Sequence, residues 1–198
     1  MPGIVVTPAV RILAERHPEL TVRLLRTSWH DQVEVLHDGR ADLSIVRLPI
    51  DQRGLTVRPL TEEPGVVMVP VGHRLAGTES VPIAELAGEH LPQGPDAVPE
   101  WRDIALELRK PDRPGVPRID SVEEKLELVA AGAGISVIPL STATFYTRPD
   151  VVGVPVEDIG PNHVCLAWLA SRRSPLIDAF ADAAASLALQ PPARPSGS

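Results

Sequence analysis

The sequence predicts an α/β protein. Short runs rich in β-branched residues alternate with amphipathic runs at helical spacing, the pattern of parallel strands linked by helices. No segment repeats at a solenoid period. Of 198 residues, 43% are hydrophobic and 23% charged, which supports a packed core and argues against disorder of the whole chain.

The first helix is expected over residues 5–17, where Val6, Val10, Leu13 and Ala14 recur at helical spacing. Pro8 is expected in its first turn, where a missing N–H costs little, and His17-Pro18 ends it. Residues 20–26 (LTVRLLR) read as a strand with Thr21, Arg23 and Leu25 on one face. Ser28 caps the next helix with Asp31 as its partner, Val33 and Leu36 point inward, and Gly39 is the left-handed stop. Residues 43–47 (LSIVR) form a short buried strand, and further strands cover 55–60 and 66–71.

The middle third is rich in proline and glycine. A short helix is expected over 82–86, and a longer one over 100–110 with Trp101, Ile104, Ala105 and Leu108 on its apolar face. Residues 111–117 read as a rigid loop and 116–120 as a strand. Ser121 to Glu124 is a capping box; the helix it opens carries Val122, Leu126, Val129 and Ala130 and stops at Gly132. Strands follow over 135–138, 151–156 and 164–169, the first ended by Pro139. Ser174-Pro175 opens the last helix, with Leu176, Ile177, Phe180, Ala184 and Leu187 as its core stripe to residue 189. Residues 191–198 are expected to form a disordered tail.

Composition narrows the function. Net charge is −7, Lys110 and Lys125 are the only lysines, and the arginines are scattered, Arg172-Arg173 reading as a solvated turn. A nucleic-acid surface, which needs clustered cations, is therefore not expected in this chain. The single cysteine, Cys165, excludes an internal disulfide and a multi-cysteine zinc site, and a reducing, cytoplasmic setting fits it most simply. No apolar run approaches the ~18 residues of a membrane span, and the start has no basic region or cleavage site, so neither membrane nor secretion is expected. Gly132-Ala133-Gly134 lacks the later glycine of a dinucleotide fingerprint, and Ser136 lacks the second glycine of a nucleophile elbow. His17, His30, His37, His73, His90 and His163 show no metal-ligand spacing. Cys165 with His163 lacks an orienting third group. No catalytic residue, metal or cofactor is expected.

Six blocks in order carry a resemblance: ILAERHPELTVRL, VLHDGRADLSIVRLP, LTEEPGVVMVPVGHRLAG, IAELAGE, DSVEEKLELVAAGAGISVIPLS and CLAWLASRRSPLIDAFADAA. Together, over residues 2–189, they resemble the effector-binding (substrate-binding) domain of LysR-type transcriptional regulators. The resemblance implies a periplasmic-binding-protein type 2-like fold of two Rossmann-like subdomains joined by two crossover hinge segments. Subdomain I would hold residues 1–68 and 167–190 and subdomain II residues 69–166, with hinges near 69–71 and 164–166. A small anionic or aromatic effector would sit in the cleft between them and act allosterically on DNA-binding domains. A homodimer is implied as well, with Thr7, Val10, Arg11, Ala14, Arg23 and Leu25 in its interface.

The family's winged helix-turn-helix is missing from this sequence, so DNA would be reached only through that absent segment. Met1-Pro2-Gly3 matches the loop that follows the family's first, central strand. The expectation is a truncated product or a mis-called start. Its flanking strands would lack a partner, at a cost on the order of 1–3 kcal/mol per unpaired buried group.

The site residues follow. Arg47 ends a buried strand, where an anion would be gripped bidentately, with Leu48 beside it; the competing reading is a salt bridge to Asp42 or Asp51. Pro2 and Gly3 open the first helix, whose N–H groups suit a carboxylate. Ser121 and Val122 stand at another helix N-terminus, and Gln93-Gly94 follow a short strand. Trp29 is expected to pack at the core or its rim. Two other classes compete: a stand-alone solute-binding protein of the same fold, and an enzyme such as a decarboxylase or prephenate dehydratase. The lack of an acid/base pair argues against the latter.

Overall fold

The computed structural model describes residues 3–28, 30–110, 119 and 121–188. In chain order the elements are α1 (Gly3–Arg16), α2 (Glu34–His37), β1 (Ser44–Arg47), β2 (Leu55–Glu63), β3 (Gly65–Pro70), α3 (Pro99–Ile104), α4 (Val122–Ala130), β4 (Ser136–Pro139), α5 (Leu140–Phe145), β5 (Val151–Pro155), β6 (Asn162–Leu169) and α6 (Pro175–Ala188). The chain divides into two compact units: residues up to Glu62 with those from His163 on, and Glu63–Asn162.

The first unit is built on the sheet β1-β6-β2. Alternation along a strand sends successive side chains to opposite faces. Val46, Cys165 and Ala167 therefore pack with Val35 and Leu36 of α2 on one face. Leu166, Ile45 and Trp168 meet Ala9 and Leu13 of α1 and Phe180, Ala181 and Ala184 of α6 on the other.

The second unit is built on the sheet β4-β3-β5. The central strand β3 is buried on both faces. Val67 and Val69 pack with Leu86, Leu91, Trp101, Ile135 and Val154. Val66 and Met68 pack with Leu126 and Val129 of α4 and with Ile138.

Several expectations hold locally. Gly39 and Gly132 have φ of 72° and 71°, the left-handed conformation that stops a helix. The Ser121 side chain caps α4 by accepting from the Glu124 N–H at 3.1 Å.

Others are corrected. The strand pairs β1–β6, β3–β4 and β3–β5 are antiparallel, not parallel. Residues 20–26 form no strand; Leu24 and Leu25 stand 77% and 50% exposed, and among the described residues β1 has a neighbour on one side only. The short strand expected just before Gln93 is likewise not formed, although the His90 carbonyl accepts from the Ile135 N–H at 2.8 Å beside β4. Without ladders at these two segments, the described pairings are those of strands that return from far along the chain.

Pro8 lies in the second turn of α1, so the Ile4 carbonyl loses its N–H donor there. The helix expected over 100–110 ends at Ile104 because the Leu106 N–H donates to the Ala87 carbonyl at 2.8 Å instead of to the preceding turn. The short helix at Ile83–Leu86 is 3-10, and α5 was not anticipated. The units divide before residues 69 and 167, because β3 pairs along its length with β4 and β5 while Val164 of β6 pairs with Arg47 of β1. Pro2, Trp29, the loop 111–117, most of the strand 116–120 and the tail 191–198 lie outside the described residues. No helix among the described residues is long and apolar enough to cross a membrane.

Candidate functional site

Arg47 is the last residue of β1 and precedes the cis peptide Leu48-Pro49. Its peptide group is held by one side chain: the Arg47 N–H donates to Gln32 Oε1 at 3.1 Å, and Gln32 Nε2 donates to the Arg47 carbonyl at 3.3 Å. Gln32 is itself fixed, since Ser44 Oγ donates to its carbonyl at 2.6 Å. It follows a turn in which the Ser28 N–H and hydroxyl donate to Asp31 Oδ1 at 2.6 and 3.0 Å. Desolvation works against the Asp31 carboxylate, but the Ser28 bonds and the Arg40 guanidinium outweigh it and hold its pKa below the usual range. Asp42 meets Arg172 at 2.6 Å and Asp51 meets Arg53 at 2.5 Å, while Arg47 makes a further polar interaction of its own. Leu48 is half-buried against the cluster of Val35 and Leu36.

In the second unit Gln93 is buried, and its amide is committed within the protein. Ser136 Oγ donates to Gln93 Oε1 at 2.5 Å, and Gln93 Nε2 donates to the Val137 carbonyl at 3.2 Å. Ser121 is a cap, and Val122 is half-buried against the cluster of Leu126 and Val129. One turn into α4, burial pushes the Lys125 ammonium down to about 8.

Gly3 is the first residue of α1. Thr7, Arg11 and Ala14 are exposed along that helix, whereas Val10 is half-buried against the Ala9–Leu13 cluster. Arg23 and Leu25 are exposed, on no strand. Cys165 is buried, which pushes its thiol pKa up, whereas His163 is exposed and meets Glu62 at 3.2 Å. Among the described residues no cluster of three His, Cys, Asp or Glu is placed to hold a metal. Two surface hollows of about 260 and 240 Å³ flank Arg148, and none of the ligand-site residues expected from the sequence lines them.

Sequence reasoning missed Gln32, Ser44 and Ser136. Their bonds join positions 15, 12 and 43 residues apart, so no local period marks them. The one usable signal was a polar residue immediately before the inward-pointing Val33.

A family model described as the LysR substrate binding domain matches residues 3–188. The HTH-type transcriptional regulator TtuA of Agrobacterium vitis is 32% identical over 190 residues, 90% of this chain and 58% of that protein. A probable hydrogen peroxide-inducible genes activator of Mycobacterium avium is 30% identical over 132 residues, 65% of this chain and 42% of that protein. The chain spans about half the length of these curated relatives. Among solved structures, the BenM effector binding domain with its effector benzoate has a TM-score of 0.72 at 21% identity, covering 95% of this chain and 90% of that one. This likeness shows the fold.

Proposed function

Because the chain belongs to the LysR substrate binding domain family, we propose that it senses a small-molecule effector and so controls transcription in a regulator that also carries a DNA-binding segment. The effector is a small carboxylate, and Arg47 grips it. The observation that carries this reading is Arg47 at the carboxyl end of β1, its peptide locked at both polar atoms by Gln32. Open α/β sheets receive ligands at the carboxyl ends of their strands, and a guanidinium matches a carboxylate bidentately.

Leu48 and the opening of α1 at Gly3 are the further proposed contacts in the first unit. Binding shifts a conformational equilibrium by a coupling of about 1–3 kcal/mol. The proposed assembly is a homodimer whose face includes Thr7, Arg11 and Ala14.

The reading is non-covalent. Relatives include an activator named for hydrogen peroxide, but these 198 residues hold one cysteine, and Cys165 is buried with its thiol pKa raised. A disulfide between two of these residues is not available, and a buried, protonated thiol is a slow target for oxidants. The relatives are named as regulators rather than enzymes, which favours sensing over turnover.

A thermal-shift screen of small aromatic and aliphatic carboxylates, benzoate among them, tests the proposal, since a ligand of the native state raises the melting temperature. The expected result is a shift with at least one carboxylate that Arg47→Ala abolishes. An undiminished shift in Arg47→Ala removes Arg47 from the site.

A further inference from the structure

In an antiparallel pair, residues that bond to the partner strand alternate with residues whose N–H and C=O point away from it. The Leu48 N–H donates to the His163 carbonyl at 3.1 Å, and Arg47 stands opposite Val164, so the Arg47 peptide groups face the outer edge of β1. A neighbouring strand would supply one acceptor and one donor there. Gln32 supplies both from a single side-chain amide, and the hydroxyl of Ser44, from the same strand, holds the main chain of Gln32 in place.

The same device recurs in the second unit. The Leu140 N–H donates to the Pro64 carbonyl, Val137 stands opposite Val67 and faces outward, and Gln93 Nε2 takes its carbonyl. In each unit a glutamine amide takes the place of a missing strand at one residue of an edge strand. In the first unit that residue is Arg47.

We infer that Gln32 is a positioning residue for ligand recognition: its amide fixes the backbone of Arg47 and thereby the direction from which the guanidinium leaves β1. The inference rests on the reading of Arg47 as the anion grip. Recognition by a planar fork depends on direction, so loss of the lock costs affinity even where the fold survives.

The test compares Gln32→Met, nearly isosteric but without either hydrogen bond, with Arg47→Ala and the wild type. Two readouts are taken: affinity for the carboxylates of the screen, and amide hydrogen exchange at Arg47 and Leu48. Gln32→Met is expected to weaken carboxylate binding by about tenfold or more. It is also expected to speed exchange at the Arg47 N–H while the Leu48 N–H, bonded to His163, stays protected. Binding lost in Arg47→Ala but kept in Gln32→Met overturns the inference and leaves the Arg47 reading standing. Unchanged exchange at Arg47, or equal acceleration at Leu48 with a fallen melting temperature, overturns it too, the latter by showing a purely structural role. A wild type that binds no carboxylate, or an Arg47→Ala that binds as well as wild type, sinks the Arg47 reading and this inference with it.

Discussion

Ser136 Oγ donates to Gln93 Oε1 at 2.5 Å, both side chains buried, while the other end of the Gln93 amide holds the Val137 carbonyl. The pair ties residues 91–93 to the edge of a sheet they do not join by a ladder. Ser136→Ala leaves the Gln93 carbonyl oxygen buried without that donor, which costs about 1–3 kcal/mol. Urea unfolding of the variant should show a lowered midpoint with an unchanged slope, the midpoint shift multiplied by the slope giving this loss. A midpoint equal to that of the wild type would mean that the Ser136 bond contributes nothing.

Gly134 should tolerate no side chain. Its φ is 153°, and a Cβ there would come within 2.5 Å of the His90 carbonyl oxygen and 2.9 Å of the Pro92 ring. Gly134→Ala is expected to destabilise by about 1–3 kcal/mol through backbone strain, with the clash adding to it. It should also speed exchange of the Ile135 N–H, which is bonded to that same carbonyl. Gly88→Ala is the control, since nothing lies within 4 Å of a Cβ at that position. Equal melting temperatures for the two variants would remove the steric argument.

Both relationships join residues more than 40 positions apart, and neither was legible in the sequence. Signals confined to a few residues read correctly: the Ser121 cap bonds a residue three positions on, and Gly39 and Gly132 adopt the conformation that a helix stop requires. The strands expected at 43–47 and 164–169 were readable for the same reason, and β1 and β6 form there. The failures at LTVRLLR and at the end of α3 depend on distant partners. LTVRLLR has strand composition, yet it forms no ladder, because a strand is defined by its neighbours. The helix after Pro99 had the right apolar face and the wrong end, because the Ala87 carbonyl captures the Leu106 amide. The place of Arg47 at a strand end was legible, since it is the last residue of β1. Gln32, which fixes its peptide, was not, because its bond spans 15 residues and follows no period.

The exposed face of α1 gives the prediction on assembly. Thr7, Arg11 and Ala14 lie four and three residues apart, on one side of the helix, and all are exposed, whereas Val10 turns inward. Ala14→Arg places a bulky charge in the middle of the proposed dimer face without touching the buried face. Sedimentation velocity should show dimer dissociation strengthened by about tenfold or more, with the melting temperature of the protomer unchanged. An unaltered distribution of species would move the interface away from α1.

Lys125 should make stability rise with pH. Burial lowers its ammonium from the ordinary 10.5 to about 8, so between these values the unfolded chain binds the proton and the folded chain does not. Stability grows wherever the unfolded state holds more protons, here by at most about 1.4 kcal/mol per pH unit. Below pH 8 the full cost of burying the charge is present, and above 10.5 it is gone. Cys165 works against this trend, because burial raises its thiol pKa and the folded chain then holds the proton longer. The difference between wild type and Lys125→Met therefore isolates the lysine, since Cys165 is common to both. Denaturant unfolding from pH 7 to 10 should show the wild type gaining on the variant as pH rises through 8. Parallel curves would mean that Lys125 keeps an ordinary affinity for its proton in the folded protein.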